Sequence, residues 1–163
     1  QAKEMVAAMK VLWTQEKSEF HGHYYDFPPV FCFPKPAQKP HPPILLGGSS
    51  PRILPRVLEW AEGWIPIDVT PEEVAEARRS LNAMADRTGR DPASINITVV
   101  GVEWTNQNTD ILDILTRFEQ CGADRVVISV DHAEEIESLA QLETIAMGLR
   151  TLDNGWVQQD SPV

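Results

Sequence analysis

The sequence predicts an α/β protein built on parallel strands, and three observations support this fold class. Helical and extended patterns alternate along residues 44–155, as they do in chains of right-handed βα units. Runs such as "ILL" and "VVI" are apolar at every position, which is typical of parallel strands covered on both faces. A complete (β/α)8 barrel usually needs ~250 residues, whereas this chain has 163. The four predicted βα units therefore form either a small open sheet or half of a barrel. The periodicity does not separate these two, and the length favours the half-barrel.

The first predicted element is an amphipathic helix that ends near Thr14. Met5, Ala8, Met9 and Leu12 recur at helical spacing. No capping residue precedes this run and the chain lacks an initial methionine. We therefore expect residues 1–163 to be a single domain whose N-terminal part has been cut away.

Residues 18–43 are predicted to form a proline-rich insertion loop. They hold more than half of the chain's 13 prolines, which excludes a helix and favours extended backbone. A hairpin is expected around residues 20–27. Long loops of this kind usually cover or line a site, so we expect this one to lie over a ligand face or at a dimer contact.

The βα units follow in order, and several carry local start and stop signals. Ser50 and Pro51 are expected to be the N-cap and first residue of the first helix in this part. Thr70 is the predicted N-cap of the next helix, which Gly89 ends. The strands are predicted at 44–48, 63–67, 95–104 and 124–130, and the helices at 49–62, 71–88, 108–122 and 134–155.

Composition limits the partners and the compartment. The chain has 24 acidic and 14 basic residues, a formal net charge of -10, which argues against binding to nucleic acid or anionic membranes. Cys32 and Cys121 are its only cysteines and belong to no CxxC pair. No apolar run approaches the ~20 residues of a membrane span. We therefore expect a cytoplasmic protein without a structural zinc or disulfide.

Gly47, Gly48, Ser49 and Ser50 join the first strand of the βα series to its helix. Backbone N–H groups at a helix N-terminus carry partial positive charge, glycines let a phosphate approach them, and serine hydroxyls add donors. The pattern fits a phosphate cradle. It equally fits a plain tight turn, because neither a P-loop lysine nor a full GxGxxG is present.

Trp64 and the histidines are weaker candidates. Trp64 could pack beside a flat ring, although core filling is its commoner role. His21, His23 and His41 lie close in sequence but match no zinc spacing, so no metal is predicted. His132, after the last strand, is interpreted as a solvated turn residue. No catalytic acid, base or nucleophile stands out.

Several motifs in order resemble the C-terminal half of the bacterial luciferase-like monooxygenase superfamily, and most of all its branch dependent on the deazaflavin coenzyme F420. The resemblance covers nearly the whole chain. The motifs are "FHGHYYDF", "PKPAQKPHPPILLGGSSP", "AEGWIP", "GRDPASINITVVG" and "GADRVVI".

The resemblance implies strands five to eight of a TIM (β/α)8 barrel that binds F420 or FMN. It implies an oxidoreductase or monooxygenase acting on a small organic substrate, by hydride transfer or by oxygenation through a flavin peroxide. In relatives the matching residues hold the cofactor phosphate or lie beside the cofactor, and catalytic groups are expected on the absent first strands. The residues carried over are Leu46, Gly47, Gly48, Ser49, Ser50, Gly63, Trp64 and Ile65.

Two other functions remain open from the sequence. An open half-barrel exposes strand edges and apolar faces, so this chain could be a non-catalytic piece that self-associates, most simply as a homodimer. It could also be a stand-alone α/β domain that binds phosphate. Retention of cofactor by the purified chain separates the enzyme from the first alternative.

Overall fold

The computed structural model describes residues 1–50, 52–104, 111–130, 142–143 and 146–147. The chain divides into two compact units, residues 1–44 and residues 45–163. Within the described ranges, no helix has both the length and the apolar character needed to cross a bilayer.

The first unit is a helix followed by a hairpin. Helix α1 covers Ala2–Thr14, and β1, Lys17–His21, pairs antiparallel with β2, Asp26–Phe31. The cross-strand pairs include Phe20 opposite Phe27, which confirms the hairpin predicted within the proline-rich segment. The buried Ser18 hydroxyl lies 3.1 Å from the carbonyl oxygen of Val11 and so links the end of α1 to the first strand.

The carboxylate of Glu4 holds the turn of this hairpin. Its Oε1 accepts hydrogen bonds from the N–H groups of Tyr24 (2.6 Å) and Tyr25 (3.0 Å). Partial desolvation raises the pKa of Glu4, but these bonds and the nearby charges of His23 and the N-terminus lower it more. The net pKa of Glu4 therefore lies below its usual 4.5.

We expect Glu4→Gln to lower the melting temperature at neutral pH. The melting temperature of this variant should also fall less than that of the unmodified chain as the pH is lowered. Because the folded-state pKa is depressed, the carboxylate stabilises the folded chain above pH 4.5, and this contribution disappears as the pH falls through the lowered pKa. Circular dichroism melts over a series of pH values measure both effects. Glu16→Gln, at an exposed position, is the control, and superimposable curves for the two variants would contradict this account.

The second unit is a parallel sheet whose strands alternate with helices, as expected for an α/β protein. Its elements are β3 Leu45–Gly47, α2 Ile53–Trp60, β4 Gly63–Ile65, α3 Pro71–Thr88, β5 Asn96–Trp104, α4 Ile111–Gln120 and β6 Arg125–Val130. The strands lie in the order β3-β4-β5-β6. The predicted helix at 134–155 lies largely outside the described residues.

The core of this unit lies between one face of the sheet and the three helices. Val57 of α2, Leu81 of α3 and Phe118 of α4 join Ile97 and Val99 of β5 in a single buried cluster. Because side chains alternate along a strand, the residues between them point to the opposite face. On that face the side chain of Val127 remains 42% exposed.

The helix ends depend on local sequence to different degrees. Helix α3 begins as predicted, because Thr70 and Glu73 form a reciprocal capping box, and it ends at Gly89 with φ 70°. The predicted N-cap role of Ser50 is wrong, since α2 begins only at Ile53, after Arg52. The carbonyl oxygen of Ser50 accepts from the Ile53 N–H at 2.9 Å, so the chain makes a tight turn before the helix starts. Pro51 lies outside the described residues.

Candidate functional site

The carboxyl ends of β3 and β4 bring most of the predicted site residues together. Leu46 pairs with Trp64 and Gly47 pairs with Ile65 in parallel register. The turn after Gly47 therefore lies beside the segment that follows β4. Ligands of open α/β sheets and of TIM barrels bind at this edge.

Gly48 has a backbone conformation that favours glycine, and the space around it is open. Its φ is 117°, and a Cβ built there would meet no atom of the described residues within 4 Å. A side chain would thus be disfavoured by the backbone and not by crowding. A Cβ on Gly47 would make only an ordinary contact, 3.6 Å from the Ile65 carbonyl oxygen. Among the described residues, none crowds either glycine of this turn.

The side chain of Trp64 holds this turn in position. Its indole is only 5% exposed and belongs to the core cluster, which confirms its interpretation as a core residue. Its Nε1–H donates a 2.8 Å hydrogen bond to the Gly48 carbonyl oxygen. That bond occupies the carbonyl and holds the glycine in its positive-φ conformation.

The hydrogen-bond donors of this turn belong to exposed residues. Ser49 and Ser50 are exposed, and among the described residues their backbone N–H groups have no protein acceptor. The Ser50 Oγ accepts a long, 3.4 Å hydrogen bond from the Arg52 N–H, which leaves its own proton available. These groups match the chemistry of an anion site.

Gly63 is placed differently from the other predicted site residues. It is buried at the amino end of β4, where it pairs with Leu45 on one side and Asn96 on the other. A Cβ there would overlap the Asn96 carbonyl oxygen and lie 2.6 Å from Leu45 Cδ2. This geometry gives Gly63 a packing role inside the sheet.

Two exposed charged residues at this edge escaped the sequence analysis, Arg52 and Asp68. Arg52 immediately precedes α2. The sequence feature that could have identified it is a basic residue two positions after Ser50. Asp68 follows β4 and has a positive φ of 54°. The sequence "PIDVT" contains no feature that marks such a backbone conformation.

The histidine candidates do not assemble a metal site. His21 Nδ1 lies 2.6 Å from Asp26 Oδ1 across the hairpin. No group of three or more His, Cys, Asp or Glu side chains suited to a metal ion occurs among the residues described. His132 lies outside the described residues.

A parallel α/β sheet with an exposed glycine- and serine-containing turn at its carboxyl edge is the arrangement found in a class of ligand-binding α/β proteins. The chain belongs to the luciferase-like monooxygenase family, whose sequence profile matches residues 1–110. This confirms the family resemblance seen in the motifs.

Two curated relatives show how much of a family member this chain represents. It is 29% identical over 153 residues to an uncharacterized protein of Mycobacterium tuberculosis, covering 90% of this chain but 49% of that protein. It is 47% identical over 49 residues to the FMNH2-dependent dimethylsulfone monooxygenase of Pseudomonas putida, covering 30% of this chain and 14% of that enzyme. The chain thus spans about half the length of the M. tuberculosis protein.

A solved structure supports the fold. The coenzyme F420-dependent tetrahydromethanopterin reductase of Methanopyrus kandleri superposes with a TM-score of 0.64 at 11% identity. The match covers 81% of this chain and 57% of the reductase. At this identity the likeness concerns the luciferase-like TIM-barrel fold alone.

Proposed function

We propose that this chain supplies the phosphate end of the cofactor site in a luciferase-like oxidoreductase that uses F420 or FMN. The observation that carries the proposal is the turn of Gly47, Gly48, Ser49 and Ser50 at the carboxyl end of β3. Its serines are exposed, Trp64 hydrogen-bonds to its backbone, and no atom of the described residues lies within 4 Å of a Cβ built on Gly48. A related enzyme named for FMNH2 and a similar structure named for F420 support either cofactor.

The residues present fit a phosphate ester. The N–H groups of Ser49 and Ser50 and the serine hydroxyls would donate to its oxygens, and the start of α2 adds the partial positive charge of a helix N-terminus. Arg52 contributes a full positive charge at the same turn. Within a chain of net charge -10, this local set of donors is what would make an anion favourable here.

The bound cofactor would supply hydride transfer to or from a small organic substrate, or oxygenation of that substrate. The part played by this chain is binding and orientation. The indole N–H of Trp64 donates to the Gly48 carbonyl oxygen at 2.8 Å. This hydrogen bond would keep the turn in place when the phosphate end of the cofactor binds. We assign no catalytic residue, because none of the described side chains at this edge has a partner that would activate it.

We further propose that the four strands are strands five to eight of the barrel. Within the described part of the chain, β3 and β6 each pair on one side only, and Val127 is exposed on the sheet face opposite the helices. A barrel would cover that face and both edges. The rival proposal, a non-catalytic half-barrel that pairs with a second copy, rests on the same exposed face.

Gly48→Val tests the phosphate site. We expect the variant to bind FMN, F420 and inorganic phosphate about tenfold or more weakly, because valine is strained at this φ and would cover the turn. Gly89→Val is a matched control, since Gly89 also has a positive φ and open space around its Cβ position but lies at the end of α3. Calorimetric titration of both variants, with melting temperatures, separates binding from stability.

Two outcomes would decide against the proposal. If Gly48→Val and Gly89→Val retain the same affinity as the unmodified chain, the turn does not bind the phosphate. If the unmodified chain binds none of the three ligands and sediments as a dimer, the non-catalytic half-barrel is the better description.

A further inference from the structure

Asp68 is an acidic residue whose placement the proposed phosphate site does not explain. It is the only residue other than glycine with a positive φ in the part of the chain described, at 54°. Aspartate tolerates this conformation better than most residues, but glycine would adopt it at no steric cost. Its carboxylate is exposed and has no hydrogen-bond or ion-pair partner among the described residues. Within the described part of the chain, no structural partner accounts for the presence of this side chain.

The neighbouring strand makes room for this carboxylate. The Asp68 N–H donates to the Val100 carbonyl oxygen at 3.1 Å, and the Val100 N–H donates to Pro66 at 3.0 Å. The register of β5 shifts just after Val100, where Gly101 has a φ of 88°. A Cβ on Gly101 would overlap Asp68 Oδ1 and lie 3.2 Å from the Asp68 nitrogen. The positive-φ conformations of Asp68 and Gly101 therefore lie side by side at the sheet edge, where the Asp68 carboxylate is held.

The position of Asp68 relative to Gly48 defines what it could bind. The two residues follow adjacent parallel strands, β3 and β4, and Asp68 stands 20 positions after Gly48. In dinucleotide-binding units, an acidic residue about 20 positions beyond the glycine-rich turn accepts hydrogen bonds from sugar hydroxyls. By analogy, the anionic group of a ligand would lie at the end of β3, and the hydroxyl-bearing chain of the same ligand would lie beside the end of β4.

The turn of residues 47–50 and the carboxylate of Asp68 suit different parts of a ligand, because their charges differ. A carboxylate repels phosphate, so Asp68 does not belong to the phosphate donors, and it accepts hydrogen bonds from O–H or N–H groups. We propose that Asp68 binds the hydroxyl groups of a sugar-alcohol chain whose phosphate lies at residues 47–50. The inference rests on the proposed function, because both FMN and F420 carry such a chain next to a phosphate ester.

The test compares ligands with and without the polyol on the full chain. The variants are Asp68→Gly, which removes the carboxylate and relieves the positive φ, and Asp68→Asn, which keeps the shape and removes the charge. Asp86→Asn, on the exposed surface of α3, is the control for net charge. Titrations use FMN, riboflavin and inorganic phosphate.

We expect Asp68→Gly to bind FMN about tenfold more weakly, as the loss of a hydrogen bond to a charged acceptor implies. Asp68→Asn should lose less, and Asp86→Asn should match the unmodified chain. Riboflavin should follow FMN, whereas inorganic phosphate should bind equally or more tightly. Because Asp68→Gly removes backbone strain, its melting temperature should not fall, so weaker binding would not reflect unfolding.

Four results would overturn the inference. FMN binding that is as tight in Asp68→Gly as in the unmodified chain excludes a contact with Asp68. Equal weakening of FMN and phosphate shows instead that the turn has moved. If FMN binding is abolished by Gly48→Val but unaffected by Asp68→Gly, this inference fails alone. If the unmodified chain binds neither FMN nor F420, it fails together with the proposed function.

Discussion

Replacing Gly63 by alanine is expected to lower the free energy of unfolding by about 2–3 kcal/mol, at the upper end of overpacking costs. The added methyl group would overlap the backbone carbonyl oxygen of Asn96 and stand 2.6 Å from Leu45 Cδ2. The leucine side chain can rotate, but the Asn96 carbonyl belongs to the adjacent strand. The strands would have to separate, which weakens the ladder on both sides of β4.

Gly47→Ala is the matched control, because Gly47 lies on the neighbouring strand and its added Cβ would make only a 3.6 Å contact with the Ile65 carbonyl oxygen. Denaturant unfolding followed by tryptophan fluorescence measures both variants. Similar losses of stability in the two would show that the β3–β4 spacing is not set by Gly63.

Gly63→Ala also separates two roles for Gly63. The family resemblance implies that Gly63 lies beside the cofactor, whereas its burial between Leu45 and Asn96 makes it a packing residue. If Gly63→Ala is less stable but binds FMN with unchanged affinity while folded, its role is packing. An affinity loss at full stability would favour direct contact with the cofactor.

The sequence predicts those elements whose signals are local. Thr70, Glu73 and Gly89 bracket α3 as expected, since a capping box and a left-handed glycine act within one helical turn. The hairpin of β1 and β2 was predictable because the prolines of residues 18–43 exclude a helix and, with the aromatic residues early in that segment, favour extended backbone. The alternation of strands and helices predicted a parallel sheet for the same reason: the hydrophobic period is a local property.

Two of the features that sequence analysis missed depend on contacts between distant residues. Trp64 donates a hydrogen bond to Gly48, 16 positions earlier, and no local sequence pattern predicts that bond. Asp68 is notable only because Gly101 makes room for it on the next strand. The start of α2 was missed for a local reason. Ser50 carries an N-cap signal, yet its carbonyl oxygen accepts a hydrogen bond from Ile53, three positions on, and the helix begins later.

Arg78 is a charged residue of α3 whose guanidinium is held in a network of hydrogen bonds. Its side chain is only 17% exposed. Nε and Nη2 donate to the Gly122 carbonyl oxygen at 3.0 and 2.7 Å, and Nη1 donates to Ile95 at 2.8 Å. Nη2 also pairs with Asp124, whose Oδ2 accepts from the Ile97 N–H at 2.7 Å. One guanidinium thus connects α3 to the start of β5 and to the turn before β6.

Arg78→Met is therefore expected to lower the free energy of unfolding by about 3 kcal/mol, because it leaves the Gly122 and Ile95 carbonyls and the Asp124 carboxylate without their shared donor. Arg79→Met, the next residue on the exposed face of α3, should change it by less than about 0.5 kcal/mol. Arg78→Lys should recover only part of the loss, since an ammonium group cannot reproduce the planar arrangement of donors. Equal stability of the two methionine variants in denaturant titrations would mean that hydration replaces these bonds. A loss confined to Arg78→Met would instead show that this guanidinium stabilises the edge of the sheet formed by β5 and β6.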